Sequence, residues 1–590
     1  MVLLSLIPQV HLWIVRGQQW NGSFVGAFID EAYYAAYVNA LIDGRPRRND
    51  PFGGMDDSPN HRLPESLYSV QFLPAYVVAL PARILGVSAS TVFIVLTPIA
   101  ALLASMAVFW LLNSVTGDEP VAAAGTLFVL CLGGLFGSYG MFAKPVDIAF
   151  PVLPFIRRYE PAVAFPLYFA FAALVWRALT AAEKPQSRRS ALFAGVCLAI
   201  LIYSYLYLWT AAVAWLACIS VIWFLARPVD RGRVLQLIAI IGVIAIIALI
   251  PYVYLLSRRA FTADEQQIMV ATHRPELFHV HEIIGALILL VLLIGWWRGI
   301  ISRTDRRFIY ASSLGMLPFV VFNQQVLTGR TLQAFHFEIY SVNYLIAVAI
   351  VIVFVLFWTP VPRRLLTWIA ALSFIWGFIA VALPARAIGV GLATENDQRI
   401  PVLLRLNQLA SEDGTLTDLR AKGEASTLVF SPTVPLIALL PSWTSQGTLL
   451  DITGSDCADI SREQRKRFFY MHLYYSNVKP EMLRIALNGL QENTADELWS
   501  VRSVVFGHAR IFPGLSSSFM PVRPDEIEQQ VQLYQAYVNS FSRDEALRRP
   551  IKYAVIPADA DFDFSHLDRW YQRNSGERIG DYVLYTLKLK

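Results

Sequence analysis

From residue 87 to residue 387 the apolar positions fall into blocks of about twenty, the length that crosses a bilayer core, with short charged breaks between them. The blocks predict membrane-spanning helices. Residues 1–15 form a short first one, and the expectation is that the true start of the chain lies upstream. The rest lie at 92–112, 122–141, 161–179, two in 190–226 turning near Tyr205, then 234–256, 280–297, 308–327, 342–358 and 365–387. The stretch 67–85 is also apolar, but Pro74, Pro81 and Arg83 suit a helix lying along the interface better. After Gly391 the charge density rises and no block of that length remains.

The breaks supply orientation. Residues 184–189, 227–233 and 298–307, with Arg363 and Arg364, are rich in Lys and Arg. Placing all of them on the cytoplasmic side leaves an even number of crossings between each pair. About eleven spans result, with the N-terminus inside and the tail outside. The first external loop is then 17–88, and counting 67–85 as a span would invert every basic loop. The predicted organisation is a membrane domain over 1–391 and a soluble extracytoplasmic domain over 392–590.

Composition agrees. Apolar residues make up 56% of the chain and charged ones 16%, with a mean hydropathy of +0.48, so the surplus must face lipid. The net charge of +5 fits loop basicity that sets orientation and gives no reason to expect nucleic acid. Cys131, Cys197 and Cys218 lie inside apolar blocks and Cys457 stands alone in the tail, which argues against a disulfide framework.

Three external segments carry candidate chemistry. In the first, Asp30 and Glu31 sit at the exit of an apolar stretch, with Tyr33, Tyr34 and Tyr37 following at helical spacing. A carboxylate there can accept a proton from a hydroxyl or hold a divalent cation, while an ordinary helix N-terminus also favours acidic residues. In the second, Asp147 is a possible further acid and Arg157 and Arg158 are possible phosphate ligands, set against a solvated loop with snorkelling arginines. The third, 322–340, straddles the end of a span and holds Asn323, Gln324, Gln325, Arg330, Gln333, His336 and Glu338. So many hydrogen-bonding groups at bilayer depth are costly against lipid and should line a polar cavity. Arg330 suits a phosphate or pyrophosphate, and His336 a proton carrier. His273, His279, His281 and Glu282 read as an interfacial loop, since no Cys or Asp completes a metal-ligand spacing.

A first external loop that opens with Asp30-Glu31, interface-lying helices within it, about eleven spans and an external tail resemble the GT-C superfamily of integral-membrane glycosyltransferases. The resemblance implies a mainly α polytopic domain with a C-terminal α/β domain. It also implies hexosyl or pentosyl transfer from a polyprenyl-phosphate-linked sugar to a glycan, lipid or protein acceptor in the cell envelope, as in a bacterial inner membrane. The superfamily's catalytic acidic residue falls on Asp30, with Glu31 beside it, and Asp147 sits where some members keep a second acid. No WWD-type triplet of the oligosaccharyltransferase branch occurs in the tail. No cofactor follows from the sequence beyond a possible divalent cation.

In the tail, strands are expected at 426–430, 448–452, 500–506, 552–556 and 581–587, and helices at 399–409, 463–475, 480–490 and 525–540. The alternation reads as an α/β layer fold with a mainly parallel sheet, serving as an acceptor-binding or lid-like accessory. A transporter or flippase of a lipid-linked substrate is the competing class. It predicts internal repeats and charges within broken spans, whereas here the charges gather in external loops.

Overall fold

The computed structural model of the chain describes residues 1–26, 30–59, 61–136, 153–260, 270–276, 278–331, 333–412, 427–450, 461–489, 501–502, 504–507 and 521–590. Every expected span has a helix over at least part of it. In chain order these are α1 (Val2–Arg16), then, beyond α2 (Asp30–Ile42) and α3 (Leu73–Leu85), α4 (Ala89–Thr116), α5 (Glu119–Leu132), α6 (Phe165–Thr180), α7 (Lys184–Ile202) and α8 (Leu206–Ala226). The series continues through α9 (Arg231–Ser257), α10 (Val280–Trp297), α11 (Arg306–Val321), α12 (Asn343–Phe357) and α13 (Arg363–Pro384).

Among the described residues, six helices are long and apolar enough to cross a membrane: 89–116, 206–226, 228–257, 280–297, 335–357 and 363–384. This is a multi-pass membrane protein. The expected spans that fall short of that length are covered by shorter helices, so the structure shows six crossings by length and composition where about eleven were expected. One physical reason is visible in α11, which carries Pro318 and stops at Val321, ahead of the polar run that follows. The stretch 67–85 becomes a four-residue turn and the 13-residue α3, about 20 Å long and too short to cross by itself.

Local chemistry sets the joints. Gly117, at φ +69°, ends α4, and the Asp118 carboxylate then caps α5 by accepting from Val121 N–H at 3.1 Å. Burial grades the helices. The span 335–357 has 78% of its apolar window enclosed and forms the centre of the bundle, while 228–257 has 17% and lies at its rim. On that rim helix Val243, Ile246, Ile247 and Ile250 are exposed, an apolar surface that lipid can cover.

A π turn at Ala385–Gly389 joins α13 to α14 (Val390–Glu412), which runs across the expected domain boundary. Asp397 on α14 is fully buried and holds Arg16 at 2.9 Å and the backbone N–H of Asn21 and Ser23. α14 is therefore tied to residues 16–23 from its first turns.

The tail sheet is mixed, which corrects the expectation of a mainly parallel one. Strands β1 (Leu428–Phe430), β2 (Gly447–Thr448) and β3 (Ile551–Pro557) pair in parallel in the order β2-β1-β3. The short β4 (Tyr571–Arg573) and β5 (Glu577–Ile579) both lie antiparallel to β6 (Tyr582–Leu589), and β6 lies antiparallel to β3. A further correction concerns 500–506: the described residues there, 501–502 and 504–506, are helical. Val504, Val505 and Phe506 are buried beside Phe469 and Tyr534, and a short apolar run packs in this way as either a strand or a helix. The helices expected at 463–475, 480–490 and 525–540 appear as α16 (Arg462–Tyr475), α17 (Pro480–Asn488) and α18 (Pro524–Ser540), with α15 (Val434–Trp443) unanticipated.

Candidate active site

Helix α2 begins at Asp30, whose side chain lies outside the described residues, as do Asp147 and the rest of 137–152. Glu31, one residue on, is 1% exposed. Its carboxylate lies 3.3 Å from the Arg158 guanidinium and accepts the Arg158 backbone N–H at 3.2 Å. Arg158 also donates to Thr97 Oγ1 on α4 at 2.9 Å and to the carbonyl of Val25, and it lies over the Phe24 ring. This ion pair and the bonds around it fix α2 against α4 and the 153–164 segment.

Arg157 has a different setting. It is 2% exposed, and its guanidinium carbon stands 5.4 Å from the Tyr34 ring centre and 4.8 Å from that of Tyr340. Nε donates to the Glu160 carbonyl at 2.7 Å, and Nη2 reaches Tyr205 Oη at 3.4 Å. Tyr205 Oη in turn lies 3.2 Å from His336 Nδ1, and His336 packs edge-on against Tyr207 and Tyr340. Tyr34 on α2 and His336 and Tyr340 from the stretch 333–342 thus meet around the Arg157 guanidinium. The π turn Glu338–Val342 lies between His336 and α12, and wide turns of this kind recur at functional sites.

Glu160 belongs to the same neighbourhood. Its side chain is 5% exposed, and Oε1 meets no hydrogen-bond partner among the described residues. Burial pushes its carboxyl up to about 8, against the opposing pull of Arg157.

The remaining candidates lie elsewhere. Asn323 donates to Glu282 Oε1 at 2.8 Å and accepts from Glu276 N–H at 3.0 Å, so it fastens the 270–282 segment and does not line a cavity. Glu338 is buried with His279 Nδ1 at 3.8 Å, and the hydrogen bond His279 makes to the Glu276 carboxylate raises the pKa of His279. Gln324 is half-buried, and its carbonyl accepts from Thr328 Oγ1. Gln333 is half-buried and its carbonyl accepts from His336 N–H. Arg330 is exposed in a two-residue ladder opposite Ala271. Among the described residues no group of three His, Cys, Asp or Glu side chains is placed to hold a metal ion.

Sequence reasoning passed over Tyr205, Tyr207, Tyr340, Thr97 and the side chain of Glu160. The signal for the first two was present: three tyrosines, 203, 205 and 207, crowd a turn between spans. Glu160 ends a segment that had been singled out for its arginines.

The tail reaches this region through α15. Ser442 Oγ donates to the Ala32 carbonyl at 2.8 Å, and Asn39 Nδ2 donates to the carbonyls of Pro441 and Thr444 at 3.2 Å each. Thr448 N–H donates to the Phe52 carbonyl at 2.6 Å. A Cβ on Gly447 would fall 2.8 Å from the Gly54 nitrogen, so only glycine allows that approach.

No family model matches the chain, and no curated protein sequence does. Among solved structures it is similar to ArnT from Cupriavidus metallidurans in the apo state, at 14% identity and TM-score 0.40, over 99% of this chain and 97% of that one. It is also similar to the Archaeoglobus fulgidus oligosaccharyltransferase tethered with an acceptor peptide, at 12% identity and TM-score 0.41, over 98% of this chain and 73% of that one. A third is the archaeal oligosaccharyltransferase AglB from Archaeoglobus fulgidus in complex with an inhibitory peptide and a dolichol-phosphate, at 13% identity and TM-score 0.29, over 100% and 74%.

Proposed function

We propose that the protein is a glycosyltransferase that moves a sugar from a polyprenyl-phosphate-linked donor to an extracytoplasmic glycan, lipid or protein acceptor. The observation that carries the reading is the buried Arg157 cluster, which joins Tyr34, Tyr205, Tyr340 and His336 one turn from the carboxylates that open α2. In the reaction an acceptor hydroxyl oxygen bonds to the anomeric carbon as the bond from that carbon to the phosphate oxygen breaks. Asp30 takes the hydroxyl proton as general base. The departing polyprenyl phosphate gains charge, which a preorganised guanidinium stabilises, with Arg157 as the first choice and the exposed Arg330 as an outer contact. Glu31 holds Arg158, and so serves the site by holding α2 in place. His336 and Tyr205 form a polar pair that can orient a sugar hydroxyl. Asp147, Gln324, Gln333 and Glu338 remain candidates for the outer parts of the site, while Asn323 serves the fold by fastening 270–282.

In this reading residues 392–590 are an extracytoplasmic accessory domain that braces α2 through α15. The test is incubation of the purified full chain with a panel of polyprenyl-phosphate sugars, comparing wild type with Asp30→Asn. Transfer from at least one donor, abolished in the variant, is expected. No transfer from any donor would overturn the enzyme, and undiminished transfer in the variant would overturn Asp30.

A further inference from the structure

A cavity of about 460 Å³ lies at the far end of α4 from the Arg157 cluster, lined by Ser114–Gly117, Trp176, Arg227 and Thr304–Arg307. Thr97, which touches Arg158, and Thr116, in the cavity wall, are separated on α4 by about 28 Å of helix, close to the thickness of a hydrocarbon core. The cavity therefore belongs to the membrane face opposite the candidate active site, and plays no part in the chemistry proposed there.

Three arginines line it, against one carboxylate, Asp305. Basic residues at such depth commonly serve orientation, and two of these three serve the fold as well. Arg227 bonds Asp230 at 2.5 Å and the Thr304 carbonyl at 2.6 Å, and Arg306 bonds the Thr180 carbonyl at 3.2 Å. Arg307 differs. Its backbone N–H is taken by Asp305 Oδ1 at 2.7 Å, but its half-buried guanidinium bonds no described residue. Asp305 caps α11 through the same bond, and with Arg227 paired to Asp230 the lining still sets two arginines against this one carboxylate, a net positive charge. Beside it the chain exposes apolar Leu225 and Val229, at 66% and 96%, a surface suited to acyl chains. Trp176 closes the inner wall, with its indole N–H on the Ser114 carbonyl.

We infer that this cavity binds the phosphoryl group of an anionic ligand through Arg307 and Arg306, and that the ligand is a membrane phospholipid headgroup. A guanidinium fork offers paired donors to phosphate oxygens, and the neighbouring apolar surface favours a lipid over a free anion.

The test is native mass spectrometry of the detergent-purified full chain, counting retained phosphatidylglycerol against phosphatidylcholine. Wild type should retain phosphatidylglycerol preferentially. Arg307→Gln should lower that retention about tenfold, the worth of one charge-assisted contact, and Arg307→Lys should keep most of it. The Gln variant retains the backbone bond to Asp305, so its fold should survive, and a melting curve checks this. Competition with inorganic phosphate separates the sources: displacement by millimolar phosphate overturns the lipid assignment, and persistence supports it. Equal retention of the two lipids, or equal retention by wild type and the Gln variant, overturns the site.

Discussion

Two polar clusters meet the stretch 322–340 at its two ends, Asn323 in one and His336 in the other, and they use the same kinds of residue for different ends. Around Glu276, His279, Glu282 and Asn323, each described polar group is engaged with a neighbour: His279 with Glu276 at 2.9 Å, Asn323 with Glu282 at 2.8 Å, and Glu282 Oε2 with the His279 N–H at 3.2 Å. This cluster closes a helix end. Around Arg157 the guanidinium is faced by tyrosine rings, and the nearby Glu160 Oε1 meets no partner among the described residues. The first cluster answers charge with charge, whereas Arg157 is held by a backbone carbonyl, a tyrosine hydroxyl and ring faces, the setting in which the proposed function places its phosphate contact.

The sharpest way to break the comparison begins with the adjacent pair that the proposed function assigns to holding α2. Glu31→Gln leaves Arg158 as an uncompensated buried charge and should cost about 3–5 kcal/mol, read as a large fall in Tm. The double replacement Glu31→Met with Arg158→Met should recover much of that loss. If the single change leaves Tm unmoved, the assignment of Glu31 to holding α2 fails.

Arg157→Met should behave in the opposite way. Losing one preorganised donor to a developing oxyanion costs about 100- to 1,000-fold in kcat, while KM and Tm change little. Arg157→Lys keeps the charge and should recover part of the rate. A loss confined to Tm would place Arg157 with Arg158 as scaffold.

Next in size is a pH effect. The folded-state pKa of Glu160 lies at about 8, above the value of 4.5 for a free carboxyl. The folded state thus keeps a proton that the unfolded chain has lost. Stability should fall as pH rises from 4.5 to 8, by at most about 1.4 kcal/mol per pH unit, and level off above that. Glu160→Gln should flatten this slope, and a wild-type profile that is already flat would remove the buried acid from the site.

The membrane half was readable in the sequence because lipid imposes one requirement repeatedly: about twenty apolar residues per crossing. The tail was less so. Its strands are short and its core segments, such as 504–506, are apolar without a period to tell helix from strand. For the site, segment 28–37, Arg157 and His336 could be picked out as charges in costly places. What could not be read was which of two neighbouring arginines takes the carboxylate, since that depends on where α4 places Thr97 and where the turn at Tyr205 points. The run 322–340 was read as one cavity wall, yet its first part turns toward 270–282 and its second toward Arg157. A chain that leaves a helix, crosses a ladder at Arg330 and enters a π turn changes face in ways that no single period encodes.

The smallest expected effect tests the satisfied cluster directly. Asn323→Ala removes a donor to Glu282 and an acceptor for Glu276 N–H, both at partly open positions where a hydrogen bond is worth about 1 kcal/mol. Tm should drop by a few degrees at most, with kcat/KM for any active donor within about twofold of wild type. The stability that His279 draws from its protonated form follows the same logic. Its pKa is raised, so the contribution is complete below the ordinary histidine value and is lost as pH rises through the folded one. Asn323→Ala should leave that profile in place, because the Glu276 bond that raises His279 does not pass through Asn323. A rate loss as large as that of Arg157→Met would mean that the two clusters are one site, with the boundary between structural and chemical residues lying beyond Asn323.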